Sequence, residues 1–262
     1  MDRKNIDKIA RNTDDKLLLA KVYDKIDAGI RRNTPANTCF LSAGELEMAR
    51  YLFGSVDGLV SFGGYPNAER RMYIYFPDYL SEAYLTSDDA PIVCLHAEYS
   101  KEAPPLSHRD LLGALMALGI ARETVGDISV GPGSFDFFVS REIAPFVLQN
   151  LTEAGRVKLI IRQQPLNDLR ITEPETKQIT DTLSSLRLDG VIAAGFRISR
   201  RQASQYVSSG KAAIDGITCE KPDRCILVGS KISVRGLGKI VLSEIKGTTK
   251  KERISVVIDR YV

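Results

Sequence analysis

Apolar residues recur at helical spacing through the first 32 positions: Ile6 and Ile9, then Leu18, Leu19, Val22, Ile26 and Ile30 after a restart at Asn12-Thr13. This pattern predicts helices with one buried stripe. Pro35 breaks the run, and Ser42 with Glu45 forms a capping box for a helix ending near Gly54. Two strand-like runs follow, GLVSF and MYIYF, joined by GGYPNAERR, which reads as a solvated hairpin tip carrying Arg70 and Arg71. Pro77 closes the block, and LTSDDAP, Leu85 to Pro91, supplies turn residues for a boundary. Beyond it the pattern reads strand (PIVCLHAEY), helix (Ser107 to Leu118), strand (DISV), strand (FDFFV), helix (Glu142 to Ala154) and strand (RVKLIIR).

From residue 187 the elements become short. Leu188 to Ala194 predicts a helix that stops at Gly195. A second helix starts at Ser199, a natural N-cap with Gln202 as capping-box partner; Ala203, Tyr206 and Val207 form its buried stripe and Gly210 ends it. Arg200 and Arg201 then occupy the first turn, beside backbone N–H groups without intrahelical acceptors, a combination that favours anions. Arg200 lies at i−3 from Ala203, on the side of the buried stripe, and Arg201 is displaced toward solvent. KAAIDG is a brief strand closed by an Asp215-Gly216 turn, and VGSKISVRGLG is a second strand, with Ile232 and Val234 inward and Lys231, Ser233 and Arg235 exposed.

These elements make an α+β chain of three small domains, residues 1–84, 85–165 and 183–262. The β-α-β-β-α-β order of the middle one predicts a ferredoxin-like (RRM-like) sandwich. RNA-recognition modules of that architecture present strand aromatics for base stacking. Here Phe135 and Phe137 point to one face and Phe138 to the other, so at least one of the three is core.

Charge separates the halves. Of 36 Lys/Arg and 33 Asp/Glu, residues 183–262 hold 15 and 7, while residues 1–182 hold 21 and 26, so base is concentrated in the C-terminal part. No stretch approaches the ~18 apolar residues of a membrane span, and the N-terminus MDRKNIDKIARNTDDK is polar, which predicts a cytoplasmic protein without membrane contact. Cys39, Cys94, Cys219 and Cys225 have no C-x-x-C spacing, so neither a metal nor a disulfide is expected, and Cys39 and Cys94 lie in apolar surroundings that suggest buried thiols. His108-Arg109-Asp110 copies a kinase triplet without its companion motifs; Ser107 and Asp110 instead cap a helix. GPGSF fits a hairpin turn rather than a phosphate loop, and His96 sits within a strand. No catalytic constellation and no cofactor is expected.

The stretch from 187 to 238 resembles the S4-type RNA-binding domain: it has the Arg-Leu-Asp opening, the Ser-Arg-x-x-Ala helix start, the Gly-Lys-x-x-x-x-Gly strand and the Gly-x-x-Ile-x-x-Arg-Gly strand. Ile214-Asp215-Gly216 stands where many members carry Val-Asn-Gly, and Asp supports the same tight turn. LSHRDLLGALMALGIARETVGDISV, SSLRLD and KGTTKKER extend the likeness along the chain to bacterial S4-domain proteins of the YlmH type. The resemblance implies a non-enzymatic, monomeric RNA-binding protein acting on the large ribosomal subunit. There it would contact rRNA and tRNA in rescue or quality control of stalled translation. Clustering of charge points to Arg187, Arg200, Arg201, Lys211, Lys231 and Arg235 as phosphate ligands, with Ser199 and Gln202 orienting the helix start. Lys250, Lys251 and Arg253 extend the basic surface. The rival is an RNA-modifying enzyme, of pseudouridine synthase or methyltransferase class, with its active site in residues 1–160 and substrate delivered by the S4-type domain.

Overall fold

In the computed structural model, which describes residues 3–166, 176–249 and 252–261, the chain forms two compact units, Met1–Thr172 and Glu173–Val262. Helix and sheet are mixed in both.

The first unit begins with α1 (Ile6–Ile9) and the long α2 (Thr13–Arg32). The Asn12 side chain caps α2 by accepting from the Asp15 N–H at 2.8 Å, and Asn33 ends it in the left-handed conformation. After β1 (Ala36–Asn37), the Ser42/Glu45 capping box starts α3 (Ala43–Phe53), and β2 (Leu59–Phe62) and β3 (Met72–Tyr75) complete an antiparallel sheet ordered β1-β3-β2. Leu19, Val22 and Ile26 of α2 bury themselves against Leu52, Phe53 and Tyr73. Residues 92–164 follow as β4 (Ile92–Glu98), α4 (His108–Ala117), β5 (Val125–Gly131), β6 (Ser134–Ser140), α5 (Ala144–Asn150), β7 (Glu153–Ala154), β8 (Val157–Lys158) and β9 (Ile160–Gln164). Their antiparallel sheet is ordered β5-β6-β4-β9. The Ser107/Asp110 box starts α4, and Gly131 pairs with Ser134 across the hairpin turn of GPGSF. The helix expected over 142–154 is shorter than its pattern, because Glu153–Ala154 turn back on Val157–Lys158 around Gly155, whose φ of 61° suits glycine.

One expectation for this unit is exceeded and one is corrected. Phe135, Phe137 and Phe138 are each 0% exposed, so none is available to stack on a base. Phe135 and Phe137 lie under Leu111, Leu115 and Val147 of the helices, whereas Phe138 belongs to a cluster with Ile92, Cys94, Phe40, Met72 and Ile74. That cluster draws on both sides of the boundary expected at residue 85. The Gly63–Arg71 connection is no solvated tip either. Asp127 on β5 accepts from the Tyr65 hydroxyl at 2.7 Å and from the Glu69 and Arg70 N–H groups at 2.6 and 3.0 Å. Arg70 donates to the carbonyls of Val125 (3.0 Å) and Phe40 (2.9 Å), and Arg71 to those of Ala68 and Pro66 (both 2.7 Å). Arg70 thereby ties the connection to Phe40 and β5, and Arg71 closes it on its own carbonyls.

Among the described residues, the second unit is built on an antiparallel six-stranded sheet. Its elements are β10 (Thr176–Leu183), α6 (Leu188–Phe196), α7 (Arg200–Ser208), β11 (Ala212–Ile214), β12 (Ile217–Thr218), β13 (Lys231–Val234), β14 (Gly238–Thr248) and β15 (Ile254–Tyr261), in sheet order β10-β15-β14-β13-β11-β12. Strand β10 precedes the expected start at 183 and pairs with β15 along its whole length. Val191, Ile192, Ala203 and Val207 of the two helices pack on Ile232, Val234, Ile240, Leu242 and Ile258 of the sheet. Helix α6 does not stop at Gly195. It runs through that residue, where a Cβ would stand 2.7 Å from Ile240, so that glycine allows close helix–sheet approach, and Arg197 ends the helix at φ 54°. No described helix is long and apolar enough to cross a membrane.

Candidate nucleic-acid interface

The start of α7 follows its sequence signal. Ser199 Oγ accepts from the Gln202 N–H at 3.2 Å, and Gln202 Oε1 accepts from the Ser199 N–H at 3.1 Å. The box fixes the first turn and leaves the N–H groups of Arg200 and Arg201 without intrahelical acceptors. The start of α6 is closed instead: the Leu188 and Asp189 N–H groups donate to the carbonyls of Arg224 (2.8 Å) and Pro222 (3.0 Å) from the loop that carries Cys219 and Cys225.

Asp189, in the first turn of α6 and 5% exposed, organises the arginines. Its Oδ2 and Oδ1 accept from Arg200 Nε and Nη2 at 3.1 and 3.2 Å, a bidentate fork. Arg187 Nε and Nη2 approach the same carboxylate at 3.3 and 3.5 Å. Burial alone pushes the Asp189 carboxyl up, but the hydrogen bonds from Arg200 and Arg187 and their positive charge outweigh it and hold the group below the usual carboxylate range. One carboxylate facing two guanidiniums leaves the cluster net positive and both arginines partly exposed. A search of the sequence for basic residues passes over Asp189; the Arg-Leu-Asp order, with acid in a first helical turn, is the signal that carries it.

Several basic residues line one of two depressions. A shallow depression of about 360 Å³ is lined by Lys211, Arg235 and Lys239, with Gly210, Gly236 and Gly238 in its walls. Lys211 Nζ also stands 5.7 Å from the Tyr206 ring centroid. Lys239, which sequence reasoning missed, faces the end of β13 because β14 pairs it with Ser233. A second depression, about 240 Å³, is lined by Arg200 and Arg253, and Arg253 Nη2 donates to the Thr182 carbonyl. Arg201 is exposed and has no side-chain partner among the described residues. Lys231 stands at the opposite end of β13 from Arg235, where its N–H donates to Asp215 Oδ1 at 2.8 Å. The strand therefore separates these two expected ligands. Lys250 and Lys251 lie outside the described residues.

Known proteins share much of this chain. Residues 86–168 match a family model described as "Putative RNA-binding domain in YlmH". Ribosome-associated protein quality control protein P2 of Bacillus subtilis (strain 168) is 34% identical over 224 residues, which are 85% of this chain and 86% of that protein. The chain belongs to the YlmH family. A solved structure titled cell division protein ylmH, from Streptococcus pneumoniae, is similar over 62% of this chain and 98% of its own, at 22% identity and a TM-score of 0.49.

In this YlmH-family chain the segment matched by the family model is acidic, with 7 Lys/Arg against 11 Asp/Glu over 86–168. On its sheet, His96 Nδ1 lies 2.6 Å from Asp136, His96 Nε2 lies 3.0 Å from Glu98, and Arg162 pairs with Glu98 at 2.9 Å. Arg162, then His96, hold the Glu98 carboxyl below its ordinary range.

Proposed function

We propose that this protein binds RNA on the ribosome without catalysing a reaction, and that residues 176–261 are its principal anchor. The observation that carries this reading is the Arg187–Asp189–Arg200 cluster at the start of α7, flanked on the same unit by two basic depressions. Guanidiniums held in a fixed fork beside free helix N–H groups suit phosphate oxygens, which accept hydrogen bonds from both. Such contacts fix position on an RNA backbone and carry little sequence information.

In finer detail, the C-terminal unit is taken as an S4-type domain and residues 85–165 as a ferredoxin-like, RRM-like domain, beside a small N-terminal domain. The protein acts as a cytoplasmic monomer on the large subunit, contacting rRNA and tRNA in quality control of stalled translation; the name of the Bacillus subtilis relative supports the ribosomal part. Phosphate ligands are Arg187, Arg200, Arg201, Lys211, Arg235 and Arg253, with Lys239 added. Since Phe135, Phe137 and Phe138 are buried, RNA contact on that sheet rests on other side chains.

The test is cosedimentation with purified ribosomal subunits, followed by crosslinking and sequencing of the bound RNA. Retention on the large subunit with crosslinks near Arg200 supports the proposal. Conversion of bound RNA to a modified product would instead favour an enzyme with its site in residues 1–160.

A further inference from the structure

The smaller depression is built differently from a plain phosphate cradle. Leu183 and Ala194, each 8% exposed, give it an apolar floor together with Ala193 and Ile198. The exposed rim carries Asp181, Ser184, Arg200 and Arg253. Both guanidiniums are fixed in place, Arg200 by the Asp189 fork and Arg253 by the Thr182 carbonyl.

Gly190 explains why the space exists. It sits in the first turn of α6 with ordinary helical φ, so no backbone conformation requires glycine, and a Cβ there would meet only the Ser185 carbonyl, at 3.6 Å. Gly195 in the same helix has a packing reason, the contact with Ile240. Gly190 has none, although glycine inside a helix is less favourable than alanine. The volume that its missing side chain leaves is part of the depression.

We infer that this depression receives one unpaired nucleotide of the bound RNA. The inference rests on the RNA-binding reading above and deepens it, from backbone contact to recognition of a nucleotide outside a helix. At about 240 Å³ the space lies below the ~300–1,000 Å³ of sites for drug-sized ligands, which suits a single base. Ala193, Ala194 and Ile198 pack against its face. Arg200 and Arg253 meet the phosphates on either side of it, and the Asp181 carboxylate accepts from an N–H or amino edge. A base stacked in a duplex cannot enter, whereas a bulged or looped base enters with little unstacking.

The experiment compares the full chain binding to a blunt RNA duplex and to the same duplex with one bulged nucleotide. Wild type is expected to prefer the bulge by about tenfold, equivalent to ~1.4 kcal/mol. Gly190→Leu, which fills the space and replaces no basic residue, should bind both RNAs like the plain duplex without lowering the melting temperature. Ser184→Leu, at an exposed rim position, is the second block if Gly190→Leu lowers that temperature. Equal wild-type affinity for the two RNAs, or a bulge preference that survives both substitutions, overturns the inference and leaves general RNA binding intact. Absence of binding to either RNA overturns the functional reading itself. Saturation by free nucleoside monophosphates, abolished by Gly190→Leu, with no bulge preference, would assign the pocket to a free nucleotide and overturn RNA as its source.

Discussion

Asp189 and Arg200, eleven residues apart in the chain, meet through two parallel hydrogen bonds of 3.1 and 3.2 Å and tie the start of α7 to the start of α6. Asp189→Asn removes the charge that both Arg187 and Arg200 face. The expected loss is about 1–2 kcal/mol, below the ~3–5 for breaking a fully buried pair, because the arginine side chains are 41% and 52% exposed. Its pH dependence has a definite sign. The folded carboxyl titrates below its usual value of ~3.9, so the contribution is complete above that pH and is lost as pH falls through the lower folded value. Urea unfolding from pH 7 downward should show wild type and Asp189→Asn separated at neutral pH and converging in acid.

Arg200 and Arg201 should part company by the same geometry. The sequence places Arg200 on the stripe's side of α7; the structure ties it there by an ion pair to Asp189. Arg200→Ala should lower both RNA affinity and thermal stability, and Arg201→Ala affinity alone. Each should make the slope of log affinity against log salt shallower by about 0.7–0.9, one phosphate contact. Equal melting temperatures for the two variants would contradict the assignment.

The larger depression predicts a contrast along one strand. Lys211→Ala and Arg235→Ala should each remove about one contact from the salt slope. Lys231→Ala, at the far end of β13, should remove less than either. Filter binding at several salt concentrations reads all three.

Two glycines of α6 should respond in opposite directions. Gly195→Ala presses a methyl against Ile240, and overpacking of this kind is destabilising by about 1–3 kcal/mol. Gly190→Ala, whose methyl would make only an ordinary contact of 3.6 Å with the Ser185 carbonyl, should stabilise by about 0.5–1 kcal/mol. Chemical denaturation of both variants tests whether one helix holds a packing glycine and a spacing glycine.

Arg70 belongs to stability rather than to RNA contact. Burial pushes its guanidinium pKa down, and its hydrogen bonds reach the carbonyls of Phe40 and Val125. Arg70→Ala takes the side-chain donor from the Phe40 carbonyl, while the Val125 carbonyl keeps Arg122 Nη1, and should destabilise the first unit by about 1–3 kcal/mol with RNA affinity unchanged. A loss of affinity at full stability would place Arg70 at the interface.

Local signals were legible and distant ones were not. The capping boxes at Ser42, Ser107 and Ser199, and the Asp215-Gly216 turn with φ of 49° and 81°, lie within four residues and are readable directly. The contact of Arg70 with Val125 spans 55 positions. The cover over Phe138 comes from Phe40 and Ile74, and the reason for a glycine at position 195 is Ile240. Periodicity says that a face is apolar without saying which partner lies on it. Thus Phe138 could be assigned to a face and not to its occupant. At the proposed RNA-facing surface, charge pointed to the arginines of α7, but Asp189 and Lys239 take their positions from folding.

The cluster around Phe138 also bears on how the family's matched segment can be handled. Residues 86–168 are a unit of shared ancestry, yet cutting there strips Phe40, Met72 and Ile74 from Cys94 and Phe138. What remains is an oily face that the intact protein keeps covered, and such faces glue molecules together. An isolated segment of that kind would report stickiness, in RNA pull-downs as much as in size-exclusion profiles, that belongs to the scissors and not to the protein.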